Sequence, residues 1–214
     1  MKNTFLTSLA LFIINTLIYA LALYIELKYL YTVAFYQESI GSRFGNEFEF
    51  RSFLSIEKSF DIINYLWLPI HVLGIASFTT LCIFLGFNIM NVRIGISKTF
   101  NISLKASIIL SLNYLLSVLL KLYKIVDYNY STIDDVYFYQ SIGRLFVRYD
   151  WPSWAYAILG RFNIAELVFY IILSLIIAYE AKIKVKDSLY YTGISYGVGL
   201  CFLGIVITFT GFII

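Results

Sequence analysis

Length, composition and charge already restrict the class of protein. The chain has 214 residues, of which 60% are apolar and only 14% are charged. A soluble domain averages about 45–50% apolar and about 25% charged residues, so this composition excludes a water-soluble globular protein and favours one whose solvent is the lipid bilayer. The net charge of +3 is small and gives no indication of a nucleic-acid partner.

Five apolar runs are long enough to cross a bilayer as helices. Crossing about 30 Å of hydrocarbon takes roughly 20 residues of α-helix. The runs are continuously apolar rather than alternating, as the strands of a membrane β-barrel would be. The sequence therefore predicts an all-α polytopic integral membrane protein with five transmembrane helices. The predicted spans are residues 5–25, 62–86, 105–125, 164–181 and 190–213.

The first span has small residues at Ala20 and Ala22, where a signal peptide could be cleaved. Its apolar run is close to about 20 residues, longer than the roughly 7–15 of a signal peptide, so we expect it to stay in the mature protein. Residues 26–61 combine charged residues with many Phe and Tyr. They are predicted to form a long loop containing an amphipathic segment that lies in the membrane interface.

A polar motif occurs twice in the chain. Residues 35–44 read Phe-Tyr-Gln-Glu-Ser-Ile-Gly-Ser-Arg-Phe, and residues 138–146 read Phe-Tyr-Gln-Ser-Ile-Gly-Arg-Leu-Phe. An internal repeat of this kind indicates that one unit of span, polar loop and span was copied. The predicted organisation is a single membrane domain, 1–214, with a first repeat near 1–86, a second near 99–181 and a last span near 190–213.

Tandem copies place equivalent groups around an axis along the membrane normal. One interpretation is that the motif caps a span and docks its loop on the membrane interface. The other is that the two copies form a shared site for a peptide, a lipid or a partner protein. The equivalent groups are Tyr36 with Tyr139, Gln37 with Gln140, and Arg43 with Arg144.

Three polar residues in the predicted spans are candidates for an intramembrane site. Asn64 and His71 lie in the second span near Pro69, and Glu166 opens the fourth span at the position equivalent to Asn64. Ionisable residues inside a membrane are functional candidates, so one hypothesis is a polar path through these residues. The alternative is structural, with a neutral imidazole bonded to a carbonyl freed by Pro69 and a Glu166 carboxylate at the positive end of a helix.

No metal-ligand cluster, phosphate-binding glycine loop or catalytic triad pattern occurs in the sequence. We therefore assign no catalytic, metal-binding or cofactor-binding residue and predict no cofactor. The last span carries a stripe of small residues on one helix face, which permits close approach of a neighbouring helix. These helix-packing residues are Gly193, Gly197, Gly204 and Gly211.

Lys and Arg are concentrated at the N-terminus and in the short connections 87–105 and 180–187. By the positive-inside rule, this distribution predicts a cytoplasmic N-terminus, with the long loops and the C-terminus outside. We expect the membrane to be a bacterial inner membrane.

The second half of the chain carries three stretches in a pattern found in a known family. Lys98–Lys105 opens the third span, Leu159–Tyr170 opens the fourth, and Ala181–Lys186 precedes the last. Over residues 98–214 this pattern resembles the Yip family of small five-span membrane proteins, eukaryotic members of which bind Rab GTPases in vesicle traffic. The resemblance implies five spans, a cytoplasmic N-terminus and an outside C-terminus, and it carries over no catalytic residue.

Glycine-mediated packing and paired loops are features of proteins that act by binding. Our leading hypothesis is a non-enzymatic integral membrane subunit or adaptor that acts through partner proteins. Its expected partners are membrane lipid and either other membrane subunits or further copies of itself. The first alternative is an accessory subunit of a transport or secretion system, with a polar path through Asn64, His71 and Glu166. The second is an intramembrane enzyme acting on lipid, which needs His71 and Glu166 in contact.

Overall fold

Helices account for nearly all of the residues that the computed structural model describes, which are 2–128, 130, 138–142 and 162–211. Within these ranges the only β pairing is an isolated bridge between Ser141 and Asn163. The predicted all-α class is therefore confirmed. The helices are α1 (Lys2–Ile25), α2 (Val33–Ile40), α3 (Glu47–Ile89), α4 (Ile96–Leu122), α5 (Ile164–Ala181) and α6 (Val185–Gly211).

Four helical segments are long and apolar enough to cross a membrane, as an integral membrane protein requires. They are Phe5–Leu30, Glu47–Ile89, Ile96–Leu122 and Ile164–Ala181. Large apolar side chains on α3 point away from the protein, with Ile62 71% and Leu66 68% exposed, and lipid is the solvent that tolerates this exposure. The fifth crossing stays a prediction, for which α6 offers 27 residues.

The start of α3 differs from the sequence prediction, which placed residues 47–61 in a loop. The helix begins at Glu47 and runs for 43 residues, about 65 Å at 1.5 Å per residue, which is roughly twice the hydrocarbon thickness. Its N-terminus is capped by side chains of the two residues Asn46 and Glu49. Asn46 accepts a hydrogen bond from the Glu49 N–H at 2.9 Å, and the Glu49 carboxylate accepts one from the Gly45 N–H at 3.0 Å. The predicted loop was wrong here because this capping signal marks an earlier helix start.

Helix α4 lies at the centre of the bundle and packs against α1, α3 and α5, while α6 packs against α3 and α5. Small polar residues on α4 are buried in these contacts, among them Ser103, Ser107, Ser111 and Ser117. Such residues let helices approach closely in lipid and form hydrogen bonds between them. Thr80 of α3, for example, donates to Ser103 at 3.1 Å.

Asn15 forms the main polar contact between α1 and α4. Its side-chain amide donates to the Leu104 carbonyl at 3.1 Å and accepts from the Ser111 hydroxyl at 3.1 Å. Nearer the start of both helices, Asn101 donates to Ser8 at 3.0 Å. Because early residues of α1 meet early residues of α4, the two helices run parallel. Parallel first helices are what a tandem repeat requires, although the repeat itself stays a prediction.

The first motif copy and residues 138–142 of the second lie toward the end of the bundle where α1 and α4 finish. Tyr36 of the first copy packs against Tyr130 with ring centroids 6.1 Å apart. Gln140 of the second copy donates to Asn113 of α4 at 3.0 Å. At the opposite end, the Glu180 carboxylate pairs with Lys98 at 3.0 Å and with Lys105 at 3.4 Å. The side of the membrane on which each end lies stays a prediction.

Candidate functional site

A cavity of about 560 Å³ opens where α1 ends, beside α2 and the first half of α3. We call it the acidic cavity, because among the described residues three carboxylates and one cation, Lys58, line its wall. Its volume falls within the range of about 300–1,000 Å³ that is usual for small-molecule sites. The residues that define it are Glu26, Glu57, Asp61, Asn64, Tyr36 and Tyr114.

Glu26 is the most deeply placed carboxylate of this cavity, at 3% exposure. It opens the π-helical turn Glu26–Leu30 that follows α1, and such turns are often found at functional sites. The Tyr114 hydroxyl of α4 donates a hydrogen bond to the Glu26 carboxylate. A buried carboxylate needs partners of this kind, because burial removes its hydration. The parallel packing of α1 and α4 brings the two residues together.

Glu57, Asp61 and Asn64 come to the cavity from one face of α3. Their spacing of four and three residues places them on consecutive turns of the same helix face. Glu57 and Asp61 are half-buried, and within the described residues neither forms an ion pair. This spacing is visible in the sequence, but it indicates a shared helix face only if α3 begins before Glu57. The predicted loop, residues 26–61, covers both Glu57 and Asp61.

Aromatic rings form much of the remaining wall. Tyr36 is buried and stacks on Tyr31 with ring centroids 6.0 Å apart. Trp67 lies at the rim, where 58% of it is exposed. Trp and Tyr concentrate at the membrane–water interface, so we expect, as an inference from composition alone, that the cavity lies near the depth of the lipid headgroups.

His71 does not line the acidic cavity but packs beside it. Its ring meets Tyr19 edge-on with centroids 5.3 Å apart, and Tyr19 in turn packs against Tyr114 at 5.5 Å. No group of three or more His, Cys, Asp and Glu residues in the part of the chain that the structure describes could hold a metal ion.

A second cavity, of about 390 Å³, lies between α5 and α6 beside Gln140 and Ile142. We call it the glycine groove, and the residues that define it are Glu166, Leu167, Gly193, Tyr196, Gly197 and Leu200. Glu166 is half-buried, and its carboxylate accepts a hydrogen bond from the Tyr196 hydroxyl at 3.0 Å. Asn163 caps α5 by accepting from the Glu166 N–H at 2.8 Å. The groove thus has apolar walls and one carboxylate.

The glycines of α6 differ in what surrounds them. A Cβ added at Gly197 would meet no atom within 4 Å, whereas one at Gly193 would lie 3.2 Å from the Tyr170 hydroxyl oxygen. Helices α3 and α6 approach closely at two glycines: a Cβ at Gly199 would overlap the Cys82 sulfur, and one at Gly86 would overlap the Ser195 side chain. Gly193 and Gly197 of the predicted stripe border the groove, whereas Gly86 and Gly199 lie outside that stripe. Gly204 and Gly211 lie further along α6.

The three candidate intramembrane residues lie in different surroundings. Asn64 lines the acidic cavity, Glu166 lines the glycine groove, and His71 packs on Tyr19. Within the described residues, no contact joins them into one polar path.

The motif residues are also divided between the two cavities. Tyr36 lines the acidic cavity and Gln140 lines the groove, while Gln37 and Arg43 are exposed on the surface. Tyr139 is half-buried, and burial raises the pKa of its phenol. Arg144 lies outside the described residues, so the predicted pairing around one shared surface stays a prediction.

The fold defines a helical membrane protein with two separate cavities, the acidic cavity and the glycine groove. Comparisons with protein-family models, with curated proteins and with solved structures find no match for this chain.

Proposed function

We propose that this protein is a non-enzymatic subunit or adaptor of a bacterial inner-membrane complex, and that it binds a transmembrane helix of a partner protein in the glycine groove. The observation that carries the proposal is the open position of Gly197, which has no atom within 4 Å of the site of an added Cβ. Gly199, two residues further along α6, instead packs against Cys82 of α3.

Helix association in lipid depends on close backbone approach, because lipid tails are as apolar as the side chains they replace. Gly193 and Gly197 provide such a surface one helical turn apart, and Leu167 and Leu200 provide apolar walls beside it. Glu166 and Tyr196 offer hydrogen-bonding groups in the same groove. A helix with a polar side chain uses all of these features, whereas a lipid acyl chain uses only the walls.

The resemblance to the Yip family supports a five-span protein that acts through partners. His71 packs on Tyr19, whereas Glu166 accepts a hydrogen bond from Tyr196 in the glycine groove. These different surroundings give no support to the enzymatic alternative, which needs His71 and Glu166 in contact, or to the transport path through Asn64, His71 and Glu166, which remains the alternative.

Site-specific photo-cross-linking in intact cells tests the proposed occupant. A photoreactive residue at Gly197 is expected to capture one partner protein, and the same residue at Val198, which is 64% exposed on α6, is expected to capture lipid. With the photoreactive residue at Leu167, Gly197→Leu should abolish the protein adduct and Val198→Leu should leave it. Equal adducts from 197 and 198, lipid adducts alone, or an adduct of two copies of this chain would overturn the adaptor function.

Cysteine labelling tests the proposed topology. Single cysteines at Gln37 and Gln140, in a chain whose Cys82 and Cys201 are replaced by Ser, should both react with an impermeant reagent added outside intact cells. Reaction of only one of the two positions would contradict the proposed arrangement, because both repeat loops are assigned to the same side.

A further inference from the structure

We propose that the acidic cavity binds a small organic cation through an ammonium group. This inference is independent of the glycine groove and of any partner helix. It rests on the charge of the cavity wall, on the aromatic rings within it and on the arrangement of the carboxylates.

The charge of the wall favours a cation. Glu26, Glu57 and Asp61 line the cavity, and Lys58 is an exposed residue whose ammonium group can extend into water. Glu26 is 3% exposed, and its carboxyl group is held in the cavity wall by the Tyr114 hydroxyl. Glu57 and Asp61 form no ion pair within the described residues, which leaves both available to an incoming cation.

The aromatic rings determine which kind of cation fits. Tyr36, Trp67 and Tyr114 line the same cavity as the carboxylates, and the faces of Tyr and Trp rings attract ammonium groups, including quaternary ones. A metal ion would instead need several oxygen ligands within about 2.0–2.6 Å of one point. Within the described residues no three acidic or His side chains converge in that way. The wall therefore suits a large, weakly hydrated organic cation.

An ammonium group at this position has two possible sources. It could belong to a free molecule that enters from the water, or to the headgroup of a membrane lipid. The exposed Trp67 at the rim sets the cavity at headgroup depth, which both sources can reach. The two are distinguished by experiment.

The free-cation experiment uses Trp67 fluorescence. Trp151→Phe and Trp154→Phe leave Trp67 as the single Trp of the chain, and this protein, purified in detergent, is titrated with choline. The matched control ligand is 3,3-dimethyl-1-butanol, which has the shape of choline without its charge. Saturable binding of choline, at least about tenfold tighter than that of the alcohol, is the expected result for a free ligand.

The lipid experiment uses nanodiscs that contain equal amounts of phosphatidylcholine, phosphatidylethanolamine and phosphatidylglycerol. Native mass spectrometry of the released protein is expected to show retention of the two ammonium lipids over phosphatidylglycerol if the ligand is a headgroup. Saturable choline binding or this lipid retention supports the proposal. If neither is seen, or if the alcohol binds as well as choline, the proposal is overturned.

Charge variants link either signal to the cavity. The double variant Glu57→Gln with Asp61→Asn removes two charges from the wall and should weaken choline binding, or lipid retention, by about tenfold or more. The control is Glu38→Gln with Glu47→Gln, which removes two exposed carboxylates outside the cavity and should change binding less than about twofold. Equal losses in both double variants would show a general effect of charge and would overturn the assignment to this cavity.

Discussion

The acidic cavity and the glycine groove contain the same polar pair in different surroundings. In the first, the Tyr114 hydroxyl donates to Glu26, and in the second, the Tyr196 hydroxyl donates to Glu166. Glu26 is buried among carboxylates and aromatic rings, whereas Glu166 is half-buried among apolar walls and glycines. The same Tyr–Glu hydrogen bond therefore occurs in two chemically different walls, and the ligands that we propose differ because the walls differ.

The difference between the walls follows from the helices that build them. Helix α3 starts at Glu47 and extends beyond the thickness of the lipid, so its first turns carry Glu57 and Asp61 into the acidic cavity. Helix α5 starts at Ile164, only just before Glu166, and brings no further carboxylate to the groove. The groove instead receives Gly193 and Gly197 from α6. The length of α3 thus accounts for the acidic wall of one cavity, and the short lead of α5 before Glu166 accounts for the mainly apolar wall of the other.

The largest expected effect tests whether the groove is an open face. Gly199→Leu forces a side chain into Cys82 of α3, and overpacking of this kind costs about 1–3 kcal/mol or more, so we expect at least about 3 kcal/mol here. Gly197→Leu points into the groove, where a Cβ meets no atom within 4 Å. We expect it to change the free energy of unfolding by less than about 0.5 kcal/mol. Thermal unfolding in detergent, followed by circular dichroism, measures both.

The control for this pair is Val198→Leu, which changes an exposed residue between the two glycines and should leave the unfolding midpoint unchanged. If Gly197→Leu destabilised the protein as much as Gly199→Leu, the groove would be a packed interface within the chain. The glycine groove would then not be an open surface, and its contrast with the acidic cavity would not hold.

The sequence predicts the helices better than it predicts the cavities. Run length and hydropathy identified the all-α class, and four of the predicted spans lie in helices that can cross a membrane. The start of α3 was not predicted, although the sequence carries a signal for it. Asn46 is the N-cap residue and accepts a hydrogen bond from the Glu49 N–H. The contact between Glu26 and Tyr114 was not, because it depends on how α1 and α4 pack, a relation between residues far apart in the chain.

The same limit applies to the glycines of α6. Gly197 and Gly199 are two residues apart and have the same side chain, yet one faces the groove and the other packs on Cys82. Spacing alone predicted a shared face for Gly193 and Gly197, which agrees with their common position in the groove. Which neighbour that face meets depends on the rotation of α6 about its axis, and no local pattern fixes that rotation.

The second prediction compares the two hydroxyl donors directly. Tyr114→Phe removes a donor from a buried carboxylate, which should cost about 1.5–3 kcal/mol. Tyr196→Phe removes a donor from the half-buried Glu166, where water can replace it, and should cost less than about 1 kcal/mol. Chemical denaturation of the two variants in the same detergent gives the difference. Equal costs would show that Glu166 depends on the Tyr196 hydroxyl as much as Glu26 depends on the Tyr114 hydroxyl. The difference in burial between the two sites would then have no energetic consequence.

The smallest predicted effect is an increase in the free energy of unfolding, whereas Gly199→Leu and the two Tyr→Phe substitutions lower it. It concerns two carboxylates that we propose bind a ligand and that repel each other in its absence. Glu57 and Asp61 are like charges one helical turn apart on α3, and such a pair destabilises a helix by about 0.2–0.5 kcal/mol. Asp61→Asn should therefore raise the free energy of unfolding by about that amount in the absence of ligand. Glu47→Gln removes an exposed carboxylate that is paired with Arg51, and it should lower stability slightly.

If the acidic cavity binds choline, the ligand should make the wild-type protein more stable than Asp61→Asn, the reverse of their order without ligand. A ligand that binds only the folded state raises the free energy of unfolding by RT ln(1 + L/Kd), where L is the free ligand concentration, so choline in excess should raise the unfolding midpoint of the wild-type protein more than that of Asp61→Asn, which binds choline more weakly. Equal stabilisation of both proteins would place the ligand elsewhere. A wild-type carboxylate that lowers stability in the empty protein and raises it in the bound one is the signature of a residue retained for its ligand.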